Sequence, residues 1–187
     1  ASNTVEKLST ANGPVPLAYN DAVVNDPSGV IYYLARSATD ESLIYKLGAD
    51  GTSELFSTRA SGASFIELKV FGSDLYFVAS DGAQGLVVGR ISSDGTATEL
   101  HDFANPFGSN GYVEGGGLIG IGDEVYLRMF AGYFGSDTLT PEQQAQIDDN
   151  NGTFHLLAAS NTVEKLSTAN GPVPLAYDVS GAANTST

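Results

Sequence analysis

Cysteine and tryptophan are absent from this chain, methionine occurs once, and only 8 Lys and Arg stand against 22 Asp and Glu. Each scarcity removes a class of protein. Without thiols there are no disulfide staples, no thiol nucleophile and no zinc site built on thiolates. A formal charge of −14 leaves no basic footprint to displace counterions from phosphates, so nucleic acid is not expected as a partner. Anionic membrane surfaces are disfavoured for the same reason. No apolar run approaches the ~20 residues needed to cross a bilayer, so membrane insertion is not expected. The chain opens at Ala1 with neither an initiator Met nor a signal peptide, which reads as a processed product or a fragment.

What is present suffices for a core: 42% of the 187 residues are hydrophobic, which excludes wholesale disorder. That length suits one domain or a few repeats of a larger one. The acidic, cysteine-free composition, rich in Gly, Ser, Thr and Asn, leads to the expectation of an extracellular or cell-surface protein, secreted and bacterial.

Repetition organises the chain at two levels. Residues 1–19 recur without a change as residues 159–177. Shared fold constraints do not preserve surface positions such as Glu6 and Lys7, so this is a tandem duplication of period 158 or a boundary that overlaps itself. Within the period lies a weaker repeat of about 45–50 residues. Asp50-Gly51-Thr52 through Leu55 returns as Asp94-Gly95-Thr96 through Leu100, and in degraded form as Ser160-Asn161-Thr162 through Leu166 and Ser2 through Leu8. An apolar marker precedes each: Val30 to Leu34, Leu75 to Val78, Val125 to Leu127.

The middle unit predicts strands at Phe65–Phe71, Leu75–Ala79, Leu86–Ile91 and Thr96–Phe103, separated by Gly- and Asp-rich turns. The expected division is 1–19 as a duplicated strand and connector, then units at 20–60, 61–105 and 106–168, then 169–187 as re-entry into the next repeat with a flexible tail. The third unit carries a helical insertion at about 131–151: Thr140 as N-cap, Pro141 at the first helical position, Gln143 in the capping box. Asp148 to Gly152 is expected to end that helix. The fold class is therefore all-β: antiparallel four-stranded meander repeats, β-propeller-like, with a three-fold β-trefoil-like barrel as the alternative.

Leu75-Tyr76-Phe77-Val78-Ala79-Ser80-Asp81-Gly82-Ala83-Gln84-Gly85, followed by Leu86 to Ile91 and Ser93-Asp94-Gly95-Thr96, resembles the bacterial "ELW-x-x-DGT" repeat. Val88 and Tyr45 stand where that repeat carries its Trp. The resemblance implies blade-like units of large secreted or surface proteins, and it implies no catalytic residues.

Candidate sites are few. His101 and His155 lie in different units, and no G-x-S-x-G elbow presents a nucleophile. Paired carboxylates occur at Asp40-Glu41, Asp123-Glu124 and Asp148-Asp149, where turn capping competes with glycosidase chemistry. Calcium is the candidate cofactor: Asp137, Asp148, Asp149 and Asn150, with Asn151, frame the insertion with oxygen ligands. Phe107, Tyr112, Tyr133 and Phe134 are ligand-binding candidates, able to stack a polysaccharide or to meet another protein. Tyr32, Tyr76 and Tyr126 recur in register and are assigned to core packing. The leading expectation is a non-enzymatic repeat module for structure, adhesion or self-assembly into a head-to-tail filament or multimer. Its partners would be copies of itself or neighbouring repeats. The alternative is a polysaccharide-active propeller enzyme using loop carboxylates.

Overall fold

Glycines and aspartates at fixed intervals cut the chain into short strands, and the turns they form repeat from unit to unit. The computed structural model describes residues 9–10, 13–14, 23–36, 42–48, 51–59, 64–168 and 171–172. The expected fourth strand at Ser2 to Leu8, the Asp40-Glu41 pair, Asp50 and the tail from Asp178 lie outside the described residues.

In chain order, β1 (Ser9–Thr10) and β2 (Gly13–Pro14) form a two-stranded ladder. A first sheet follows from β3 (Val23–Asn25), β4 (Ile31–Arg36), β5 (Ser42–Leu47) and β6 (Ser53–Arg59). The second contains β7 (Phe65–Phe71), β8 (Asp74–Ser80), β9 (Leu86–Ile91) and β10 (Ala97–Phe103). The third contains β11 (Gly111–Ile121), β12 (Glu124–Tyr133), β13 (Gly152–Leu157) and β14 (Thr162–Lys165). Last come β15 (Ser167–Thr168) and β16 (Gly171–Pro172), which repeat the β1–β2 ladder at identical residues. Each large sheet is an antiparallel meander in sequence order. Each four-stranded sheet closes within one unit. The protein is thus mostly β, and neither a closed barrel nor a closed propeller ring is formed by the described residues.

The repeated Asp-Gly-Thr marker has a physical basis. Gly48 N–H donates to Thr52 O at 2.9 Å, and Ser92 N–H to Thr96 O at 3.1 Å, so the β5–β6 and β9–β10 turns share one design. Each places its glycine in the left-handed region, Gly51 at φ +80° and Gly95 at φ +86°, where an L side chain crowds its own backbone. In the third unit Asn161 fills that place at φ +53°. Asn tolerates the conformation better than most residues do.

The sheets pack face to face. Tyr32, Leu34 and Ile44 of the first sheet meet Leu68, Leu75, Phe77, Ala79, Val87 and Ile91 of the second. From its other face the second sheet sends Tyr76, Val78, Leu86, Val88, Leu100 and Phe103 against Val113, Leu118, Val125, Leu127 and Met129 of the third. Period-2 alternation thus places successive residues of β8 in two different cores, so its whole apolar run is buried. Gly120 lies where a Cβ would collide with the Phe71 ring, which lets the two sheets approach.

The helix α1 (Pro141–Asn150) connects β12 to β13. Its capping box is complete: Thr140 Oγ1 accepts from Gln143 N–H at 3.2 Å, and Gln143 Oε1 accepts from Thr140 N–H at 2.9 Å. It runs through Asp148, Asp149 and Asn150 and ends inside the expected Asp148–Gly152 stretch. Asn151 ends it, donating to Ile147 O while its side chain bonds both N–H and C=O of Ala131 at 2.8 Å.

Candidate functional site

The four aromatic candidates converge at one end of the third sheet. Phe107 and Tyr133 meet with ring centroids 5.1 Å apart, and Tyr112 and Phe134 stack at 4.9 Å and 28°. Local sequence builds this arrangement. Asn105 folds the preceding loop, its Oδ1 accepting from Phe107 N–H at 3.0 Å and its Nδ2 donating to Gly108 O at 2.9 Å. Phe134 N–H donates to Asn110 O at 2.8 Å, tying the exit of β12 to that loop. Gly111, Gly132 and Gly135 face Phe107, Tyr112 and Tyr133 respectively, and a Cβ on any of them would strike the ring. Phe134 is 72% exposed. An exposed aromatic face backed by a second ring can stack on the C–H face of a sugar or on an apolar side chain.

The calcium candidates are dispersed into other work. Asp148 Oδ1 accepts from Gln144 Nε2 at 2.8 Å, and Asn150 Nδ2 donates to Ala104 O at 2.9 Å. The Lys165 ammonium donates to the backbone carbonyls of Asp148 and Asp149. Asp137 is exposed on the loop before α1. Among the described residues, no group of three or more His, Asp or Glu side chains converges to hold a metal ion.

The two histidines are far from forming a common site. His101 packs edge-on against Phe103 at 4.5 Å, and desolvation pushes its imidazole below the usual histidine value against an opposing pull from Asp102. His155 bonds Glu124 and stacks on Tyr126 at 4.9 Å. The Asp123-Glu124 pair borders a groove of about 310 Å³ that also touches Tyr76 and Leu156 to Ser160. A second groove, of about 280 Å³, opens between Ile66, Glu67, Val78, Leu86, Val113, Glu114 and Gly115.

Tyr126 departs from its expected core role. Tyr32 and Tyr76 are buried, each on the face its sheet presents to the next sheet. Tyr126 holds the corresponding place in the third sheet and is half-exposed, because no further sheet among the described residues covers it. Its surroundings repeat those of Tyr76. Arg90, opposite Tyr76, pairs with Asp74 at 3.1 Å; His155, opposite Tyr126, pairs with Glu124. Arg90 also reaches the following sheet, donating to Asn161 Oδ1 at 2.8 Å. Nothing in the sequence distinguished these faces, since both tyrosines sit in apolar runs.

No protein family matches this chain, and neither does any curated protein.

Proposed function

We propose that this chain is a non-enzymatic repeat module whose sheets stack as blades, and that it serves structure and self-assembly. The observation that carries this reading is the series Tyr32, Tyr76, Tyr126: the first two are covered by the next sheet, and the third waits on an equivalent face. Ile119 and Ile121 on that outward face are 44% and 64% exposed. They flank Tyr126 and the Glu124–His155 pair, and exposed apolar residues gathered on one face favour an interaction site over a purely solvated surface. The occupant we propose is a sheet of another copy, either in the next period of a tandem protein or in a separate chain. The acidic, cysteine-free composition supports an extracellular or cell-surface setting.

Light scattering on the purified chain over a range of concentrations tests the reading. Mass should rise with concentration, and Ile119→Lys with Ile121→Lys should hold the chain at monomer mass while its circular dichroism is unchanged. A parent chain that stays monomeric throughout overturns self-assembly.

The aromatic cluster favours a second reading, polysaccharide contact by Phe134 over Tyr112. Retardation of the chain in polysaccharide-containing gels, lost in Phe134→Ala, is its test. Turnover of a polysaccharide that one loop carboxylate change abolishes would overturn the non-enzymatic reading.

A further inference from the structure

The fourth strand of the third sheet has a sequence that the chain carries twice. β14 pairs with β13 in the register Phe154↔Lys165, His155↔Glu164, Leu156↔Val163 and Leu157↔Thr162. Leu166 N–H extends the ladder to Thr153 O at 2.8 Å. Val163 packs against the core formed by the second and third sheets. Lys165 caps the last carbonyls of α1 and lies 5.9 Å over the Phe154 ring. Asn161 receives Arg90 from the second sheet. These contacts come from residues 161–166, Asn-Thr-Val-Glu-Lys-Leu, and Ser160 adds a bond to Thr162 at 2.7 Å; residues 2–8 repeat the sequence of 160–166.

We infer that the slot formed by β13, Arg90 and the end of α1 accepts residues 3–8 of a second copy of this chain in exchange for its own β14. This deepens the self-assembly reading and rests on it. The slot offers both segments identical bonds, so its contacts do not discriminate between them. The outcome is set by concentration: the chain's own strand is present at an effective concentration on the order of millimolar, as for short tethers. A separate chain must approach that level, whereas neighbouring periods in one polypeptide reach it at any dilution. Among the described residues β14 is an edge strand joined on one side only. Its departure leaves the β13 edge open to pairing with another chain.

The absence of native cysteine makes the test direct. Full chains carrying Glu6→Cys are mixed with full chains carrying His155→Cys, because Glu6 corresponds to Glu164, which lies opposite His155. A short bis-maleimide then links thiols that come close. Cross-linked dimer should form at least tenfold faster than with Thr98→Cys as the partner site, and a peptide of residues 1–12 should suppress it. Adding Glu164→Pro to the His155→Cys chain, which removes a ladder N–H from the resident strand, should accelerate it further. A rate equal to the Thr98→Cys control in both backgrounds overturns strand exchange. If light scattering still shows concentration-dependent mass in that case, exchange alone fails and association through the sheet face stands; monomer mass overturns both.

Discussion

Glu67 grips the backbone of Leu118 across the boundary between the second and third sheets. Its two carboxylate oxygens accept the Leu118 N–H at 3.3 and 3.2 Å, and Lys69 Nζ donates to Leu118 O at 2.6 Å. The cause is a bulge: the register of β11 on β12 shifts between Gly115 and Leu118, with Gly117 at φ +103°. Bulges leave backbone groups outside the ladder, and here two side chains of the neighbouring sheet take them up.

Glu67→Ala therefore leaves a partly buried amide without its acceptor, and urea denaturation should show a loss of about 1–3 kcal/mol. Glu67→Gln, which retains an acceptor oxygen, should lose less. The Glu67–Lys69 ion pair itself, 3.1 Å long and partly exposed, contributes little by comparison. Equal stability of the alanine variant and the parent would show that the bulge is held elsewhere.

Left-handed backbone at Asn161 inverts the usual order of glycine and alanine. Asn161→Ala should cost about 1–2 kcal/mol, from the strain of a Cβ at positive φ and the lost bond from Arg90. Asn161→Gly loses the same bond without the strain and should melt above the alanine variant. Thermal denaturation of the pair decides this, and an alanine variant at least as stable as the glycine one would contradict it.

Acid should weaken the fold through its turns. The Ser28 hydroxyl and the N–H groups of Val30 and Ser28 hold the Asp26 carboxyl below its ordinary value, and the Thr96 N–H with the Thr96 and Ser92 hydroxyls does the same for Asp94. A carboxyl depressed in the folded state contributes stability above the usual carboxylate range, and that contribution is lost as pH falls through the folded value. Asp102 has the opposite sign: burial, then the charges of Asp81 and Glu99, raise it against the pull of His101. Its charge therefore opposes folding at neutral pH. Asp102→Asn should raise the melting temperature at pH 7, and the gain should vanish below about pH 4. Melting curves from pH 3 to 8 on Asp94→Asn, Asp102→Asn and the parent provide the check.

Calcium should leave the melting temperature unchanged. The Lys165 ammonium bonds the Asp148 and Asp149 carbonyls, so a positive charge already stands at the end of α1 and opposes a second cation there. A ligand at a hundred times its dissociation constant stabilises by about 2.7 kcal/mol, which a melt with and without chelator resolves easily. A calcium-dependent rise that Asp148→Asn or Asp149→Asn abolishes would place an ion there after all.

The second sheet was legible because local chemistry agreed with tertiary demand at every step. Asp81 caps its own loop through Ala83 and Gly85 N–H, Gly95 turns the next hairpin, and the apolar run of β8 is buried on both faces. The start of α1 was legible for a similar reason, since Thr140, Pro141 and Gln143 act within one turn. Its end was legible only as the stretch Asp148 to Gly152, because the particular stop, Asn151, is fixed by a bond to Ala131, twenty residues away. The convergence of Phe107, Tyr112, Tyr133 and Phe134 followed from two aromatic loops falling in one unit. The Glu67 grip on Leu118 spans fifty-one residues and meets a backbone group, so it left no pattern in composition or periodicity. Tyr126 misled because exposure depends on whether a neighbouring sheet exists, which a strand's own residues do not encode.

Ladders that close within one unit also bear on the gene. Because the described sheets exchange no backbone hydrogen bonds, deleting or adding a whole unit interrupts no ladder and alters only side-chain contacts at the two new neighbours. Nearest-neighbour stability of this kind tolerates changes in copy number. Unequal recombination between the stretches encoding residues 1–19 and 159–177, whose amino-acid sequences are identical, would yield shorter and longer descendants whose surviving four-stranded sheets retain their full complement of strands.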